Sequence, residues 1–103
     1  MKVVWTEMAK KQLRYIARYI RNEFGISARE RFMQEVDHAN HLLSGQPNIG
    51  SIESQLDDCV KSYRSYVINR YDKIVYNVGE KQIEVVAFWD CRQSPKKLVS
   101  ILQ

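Results

Sequence analysis

The stretch Tyr63 to Pro95, YRSYVINRYDKIVYNVGEKQIEVVAFWDCRQSP, decides the fold of this 103-residue chain. Lys73 to Val78 alternates, with Ile74, Tyr76 and Val78 on one side and Lys73, Val75 and Asn77 on the other, the two-residue period of a strand. Ile83 to Trp89 is a second run rich in β-branched and aromatic residues. The Gly-Glu-Lys-Gln link between them has the length and the glycine of a hairpin loop, so the two strands are expected as antiparallel neighbours. Lys61 to Ile68 reads as a third strand, turned back through Asn69 to Asp72, which makes a meander. Val85, Ala87 and Trp89 fall on one face of the last strand and Val86 and Phe88 on the other. Apolar residues on both faces predict a central strand covered from both sides. Arg92 then lies just past the end of a buried strand, rigidly held and open to solvent.

Working outward, Lys2 to Trp5 is a short apolar run expected to join this sheet as a strand, and Thr6 is a suitable N-cap for a helix. The apolar positions Ala9, Leu13, Ile16, Ile20 and Phe24 step by three and four, placing them on one face, while Lys10, Lys11, Arg14, Arg18 and Arg21 lie largely off it. Gly25 ends this helix. Ser27 and Glu30 have the spacing of a capping box, and Phe32, Val36, Ala39 and Leu43 repeat at helical spacing behind it. A connection this short makes an antiparallel helical hairpin, whose apolar faces need the meander as cover. Ser44 to Asp58 is turn-rich and acidic, a loop with room for one turn of helix. Pro95 opens a short helix from Ser94 to about Leu102, anchored by Leu98, Ile101 and Leu102. The expected fold class is α+β: an N-terminal strand, a two-helix antiparallel hairpin on a C-terminal three-strand antiparallel meander, and a short C-terminal helix, all in one domain spanning 1–103.

Sixteen Lys plus Arg against twelve Asp plus Glu give a formal charge of +4, but its distribution says more. Met1 to Glu35 and Cys59 to Gln103 each carry eight basic and four acidic residues, and Val36 to Asp58 carries four acidic and no basic ones. Basic flanks of this kind suit a polyanion and equally suit a solvated surface. Cys59 and Cys91 lack metal spacing and a CxxC pattern, so both read as free thiols in a reducing compartment. There is no charged-then-apolar leader and no apolar run of membrane-spanning length, and the expected location is the cytoplasm.

These residues resemble the RelE/ParE superfamily of type II toxin-antitoxin toxins, most closely its ParE-like, plasmid-stabilisation branch. The resemblance rests on Trp5, Thr6, Ala9, Leu13, Ile16, Tyr19 and Ile20 in the first part. It continues through Tyr63-Arg64-Ser65 with Tyr71, Ile74, Tyr76 and Val78, and ends on Ile83-Glu84-Val85, Phe88, Arg92 and Pro95. Where ParE-like members often have a His, a pair of Arg and an Asp before the proline, this chain has Asp90, Cys91, Arg92, Gln93 and Ser94, keeping the first Arg and the Pro. The resemblance implies a growth-inhibiting toxin neutralised by a cognate antitoxin in a hetero-oligomer, with no membrane and no cofactor involved. A disordered antitoxin segment would fold along the hairpin and sheet, with Leu13, Ile16 and Ile20 dividing their contacts between core and groove.

Two toxic mechanisms follow. Cleaving RNA through its 2′-hydroxyl needs a base, an acid and cations around the phosphorane. Arg64 and Arg92 are candidate phosphate contacts, and Lys73 and Lys96 are the candidates for proton transfer if desolvation lowers their pKa. Asp90 would need a raised pKa to act as the acid, and no His or Tyr follows Arg92. The alternative, preferred for that reason, is a non-enzymatic poison of DNA gyrase acting through Arg92 and the tail Pro95 to Gln103; the ribosome-dependent mRNA endoribonuclease and an attenuated toxin that only binds its antitoxin are the competing readings. Arg64 is equally suited to an ion pair with Glu84. His38 and His41 read as surface residues rather than metal ligands, Trp89 as core, and Tyr15 and Tyr19, beside Arg14 and Arg18, as packing or antitoxin-facing residues rather than base-stacking ones.

Overall fold

The computed structural model describes residues 1–56 and 61–102; Asp57, Asp58 and Cys59, for which a loop and a free thiol are expected, lie outside the described residues. The elements are β1 (Lys2–Trp5), α1 (Glu7–Phe24), α2 (Ile26–Gly45), β2 (Ser51–Ile52), a 3-10 turn (Ser54–Leu56), β3 (Arg64–Val67), β4 (Asp72–Val78), β5 (Gln82–Asp90) and α3 (Pro95–Leu102). One sheet runs in the order β1-β5-β4-β3-β2. The meander β3 to β5 is antiparallel as expected, and β1 joins β5 in parallel, from Lys2 opposite Gln82 to Trp5 opposite Val85. The acidic segment adds a two-residue strand, β2, to the other edge. Asn69 Oδ1 fastens the β3–β4 turn by accepting from the backbone N–H of Tyr71 (2.9 Å) and Asp72 (3.1 Å).

The helical hairpin is set by its ends. Thr6 Oγ1 accepts from the Ala9 N–H at 3.1 Å, as its place before the helix implies. Gly25 has φ 97°, a conformation open to glycine, and its N–H closes on Arg21 O. The expected Ser27–Glu30 capping box does not form. Gly25 is also the N-cap of α2, whose first helical residue is Ile26, so Ser27 already lies inside the first turn.

The helices cover one sheet face, where Ala9, Ala17, Phe32, Val36, Ala39 and Leu43 pack on Ile74, Tyr76, Ile83, Val85 and Phe88. Phe88 meets Phe32 edge-on at 5.8 Å and stacks on Trp5 at 6.1 Å. On the opposite face α3 and the 3-10 turn bury Leu98 and Leu56 against Tyr63, Val75, Val86, Ala87 and Trp89. β5 is therefore central and covered twice, but its residues do not alternate as expected. Val75 pairs with Ala87 and the next residue, Tyr76, with Val85, so Val86 is the extra residue of a bulge. The bulge places Val85 with Phe88 under the helices and Val86 with Ala87 and Trp89 on the α3 side. Phe24, expected in the core, is 69% exposed and touches only the Tyr19 ring among aromatic neighbours; Ala17 takes the buried place on α1.

Tyr76 is wholly buried, and its hydroxyl ties the loop before β2 to the sheet by donating to Pro47 O (2.8 Å) and accepting from Gly50 N–H (2.9 Å). A Cβ at Gly50 would lie 2.6 Å from Ser65 O and 2.7 Å from the Tyr76 hydroxyl. Neither the backbone oxygen nor the bonded hydroxyl is free to move away. Gly50→Ala is expected to destabilise the fold by about 1–3 kcal/mol, the range for overpacked sites, read as a lower urea midpoint with an unchanged slope.

Candidate functional site

β5 carries Arg92 to the surface through a tight turn. The Cys91 N–H donates to Tyr71 O at 2.6 Å and the Gln93 N–H to Asp90 O at 3.0 Å, which fixes the backbone on both sides of Arg92. Asp90 holds the guanidinium from two sides, with Nε donating to Oδ1 at 3.0 Å and Nη2 to Oδ2 at 2.7 Å. The same group sits 4.3 Å from the centre of the Tyr71 ring. Its side chain is nevertheless 65% exposed. The Arg92 hydrogen bonds hold the Asp90 carboxyl below its ordinary value, against a smaller push from burial, and Asp90 in turn raises Arg92. Asp90 is thereby kept ionised, the reverse of what a general acid requires.

Asp72, directly opposite Asp90 in the sheet, has the opposite character. It is buried, and burial raises its carboxyl above the ordinary value; a hydrogen bond with Asn69 and the Arg92 charge offset this in part, while the Asp90 charge adds to it. Sequence reading had no signal for Asp72, since its burial comes from the turn around it.

The other candidates do not converge on Arg92. Arg64 makes no ion pair with Glu84; its Nη1 donates to Gly50 O (2.8 Å) and Asn48 O (3.3 Å), while Glu84 takes Lys61 at 3.5 Å. Arg64 lies opposite Tyr76 and Arg92 lies beyond Asp90, which is opposite Asp72. Four strand residues, roughly 13 Å at 3.3 Å each, separate those two levels, so the arginines sit at opposite ends of β4. Lys73 shares the α3-side face with Val75, and its Nζ donates to Glu53 Oε1 at 2.6 Å, where Ser65 Oγ also donates. Burial pushes Glu53 up, but these two hydrogen bonds and the Lys73 charge outweigh it and leave the carboxyl below its ordinary value. Lys96 is exposed in the first turn of α3 and has no ion-pair partner among the described residues. Leu13, Ile16 and Ile20 are half-buried against the core. His38 and His41 are exposed, and no group of three metal-binding side chains occurs among the described residues. Cys91 is exposed as a residue, and partial desolvation of its thiol raises it above the ordinary value.

The topology also opens a cleft that no local pattern announces. β1 stops at Trp5, opposite Val85, and leaves the outer edge of β5 from Val86 to Asp90 without a strand. α1 covers that edge, and Gln12 Oε1 accepts from the Phe88 N–H at 2.8 Å in place of a strand carbonyl. Between α1 and α3 this leaves a hollow of about 710 Å³ whose lining includes Lys11, Arg14, Tyr15, Arg18 and Lys97. A second of about 540 Å³ adjoins it, lined in part by Tyr15, Tyr19, Tyr71 and Arg92. Tyr15 and Tyr19, expected as packing or antitoxin-facing residues, are 70% and 54% exposed. No helix among the described residues is long and apolar enough to cross a membrane.

The fold is similar to that of a chain of the chromosomal ParDE toxin-antitoxin system from P. aeruginosa, with TM-score 0.70 and 18% identity over 87% of this chain and 95% of that one. It is also similar to a YoeB/ParE toxin from Agrobacterium tumefaciens, with TM-score 0.56 and 18% identity over 87% of this chain and 98% of that one. No curated protein matches. The family model of the ParE toxin of the type II toxin-antitoxin system parDE matches residues 3–95, from β1 through the turn that holds Arg92 to the first residue of α3. The chain therefore belongs to the ParE toxin family of type II toxin-antitoxin systems.

Proposed function

We propose that this protein inhibits growth as a non-enzymatic poison of DNA gyrase, acting in the cytoplasm and neutralised by a cognate antitoxin. The observation that carries the reading is Arg92: an exposed guanidinium, held in one orientation by Asp90 and Tyr71 at the end of a doubly covered strand, with α3 following directly. A preorganised cation beside a short helix suits recognition of a macromolecular surface. A ParDE toxin-antitoxin system in the fold's likeness supports an antitoxin partner, and the half-buried row Leu13, Ile16 and Ile20 offers it apolar contact.

A ribosome-dependent nuclease draws on one observation, the divergent carboxyls Asp72 and Asp90, one pushed up and one held down as an acid and its ionised neighbour would be. Against it, the raised group is the buried one, and the lowered, half-buried one is closed by Arg92. The deciding experiment adds purified protein to a gyrase supercoiling reaction and, in parallel, to a translating ribosome extract. Trapped cleaved DNA with intact mRNA is the expected result. Cut mRNA with normal supercoiling would replace the poison by the nuclease, and silence in both would leave the attenuated, antitoxin-binding form.

A further inference from the structure

We propose that the cleft between α1 and α3 binds single-stranded nucleic acid, with phosphates on Lys11, Arg14, Arg18 and Lys97 and bases stacked on Tyr15 and Tyr19. Tyr15 also lines the adjoining hollow, where Tyr19 and Arg92 lie, so the site borders the Arg92 turn; the inference does not rest on the gyrase reading.

Charge is the first observation. Four cations line one hollow of about 710 Å³. All four are exposed, and none has a hydrogen-bond or ion-pair partner through its side chain among the described residues. The one carboxylate in the lining, Asp90, is already engaged by both Nε and Nη2 of Arg92. A water-filled groove with cations and no competing anion concentrates a polyanion.

Spacing is the second. Arg14 and Arg18 are four residues apart on α1, about 6 Å along its axis, close to one phosphate-to-phosphate step of an extended single strand. Tyr15 and Tyr19 repeat at the same interval one position on, so a row of guanidinium groups runs beside a row of exposed rings. A basic track flanked by aromatic faces is how single strands are held without sequence readout; a duplex keeps its base faces stacked and gains nothing from the rings. An acidic peptide would use the cations but not two exposed tyrosines in register with them. The cleft also has little with which to read a ribose: Asp90 is closed by Arg92 and Gln12 Oε1 by the Phe88 N–H, which leaves the Gln93 side chain as the one uncharged amide in the lining without such a contact among the described residues. DNA and RNA strands are therefore expected to bind alike.

Fluorescence anisotropy with a labelled mixed-sequence ten-nucleotide strand tests this, in DNA and RNA forms, beside the DNA duplex and a polyglutamate of equal charge. Saturable single-strand binding is expected, with log K falling against log salt at a slope of about −3, from four contacts at roughly −0.7 each. The Arg14→Ala/Arg18→Ala double variant should halve that slope, and Tyr15→Ala should weaken binding about five-fold or more with the slope unchanged. Both substitute exposed residues, and unchanged circular dichroism confirms folding. No saturable binding, or equal binding of polyglutamate with Tyr15→Ala without effect, would overturn the proposal, the latter in favour of an acidic peptide. A ten-fold preference for RNA would overturn the sugar indifference. The assay contains neither gyrase nor ribosomes, so its failure and that of the proposed function are separate results.

Discussion

Arg92→Ala is expected to reduce growth inhibition on the order of 30-fold or more, the loss that follows when one charged partner of a buried interfacial contact is removed. The unfolding midpoint should fall only a little. Arg92 is 65% exposed, so its pair with Asp90 is largely screened by solvent, and what is lost is the hold on the Asp90 carboxyl. Of the five N–H donors of the guanidinium, Asp90 occupies two, through Nε and Nη2, which leaves three for a target. Arg92→Lys keeps the charge but loses the planar fork and the seat on Tyr71, so only partial recovery is expected. The check is growth of cells expressing each variant without antitoxin, with purified protein compared in the supercoiling reaction. A fully toxic Arg92→Ala protein would remove Arg92 from the working surface.

The parts legible in the sequence are those with local causes. The two-residue period of β4, the three-to-four-residue step of α1, the Thr6 cap and the Gly25 break each depend on neighbours within a few residues, and each appears where expected. What escaped depends on distant partners. The Val86 bulge exists only in the pairing of β4 with β5, yet it reverses the faces of the residues around it. Arg64 fits an ion pair with Glu84 on paper, but the loop after α2 brings bare carbonyls closer. The cleft arises because β1 is shorter than β5, and its closing hydrogen bond joins Gln12 to Phe88, 76 positions apart. Arg92 was legible as a site candidate because a strand end is a local feature; its clamp by Asp90, two residues back, is local too. The hold of Tyr71 comes from the neighbouring turn.

Lys73→Met is expected to destabilise the protein by about 2–3 kcal/mol, because it strands the Glu53 carboxylate in a site where the two side chains are only 16% and 12% exposed. The residual exposure keeps the value below that of a fully buried pair. Removing both charges, in Lys73→Met/Glu53→Gln, should return stability to within about 1 kcal/mol of the parent, since the amide oxygen introduced by the second substitution can still accept from Ser65 Oγ while no charge is buried. The pH dependence follows from the lowered Glu53. A carboxyl depressed in the folded state adds stability above its unfolded value, near 4.5, and that stability is lost as pH falls through the lower folded value. Asp90, also lowered, contributes with the same sign; Asp72, raised, contributes in reverse, its stabilisation fading as pH rises past the unfolded value. Both persist in the double variant, so the parent-minus-variant difference in urea midpoint between about pH 3 and pH 6 isolates Glu53, and it should become more negative toward acid as the parent alone loses stability. A difference that stays flat or becomes more positive toward acid would mean the pair is not the source. The same protein separates structure from chemistry at Lys73. If the lysine only neutralises Glu53, the refolded double variant keeps its toxicity; if it is stable but harmless, Lys73 moves protons and the nuclease reading displaces the poison.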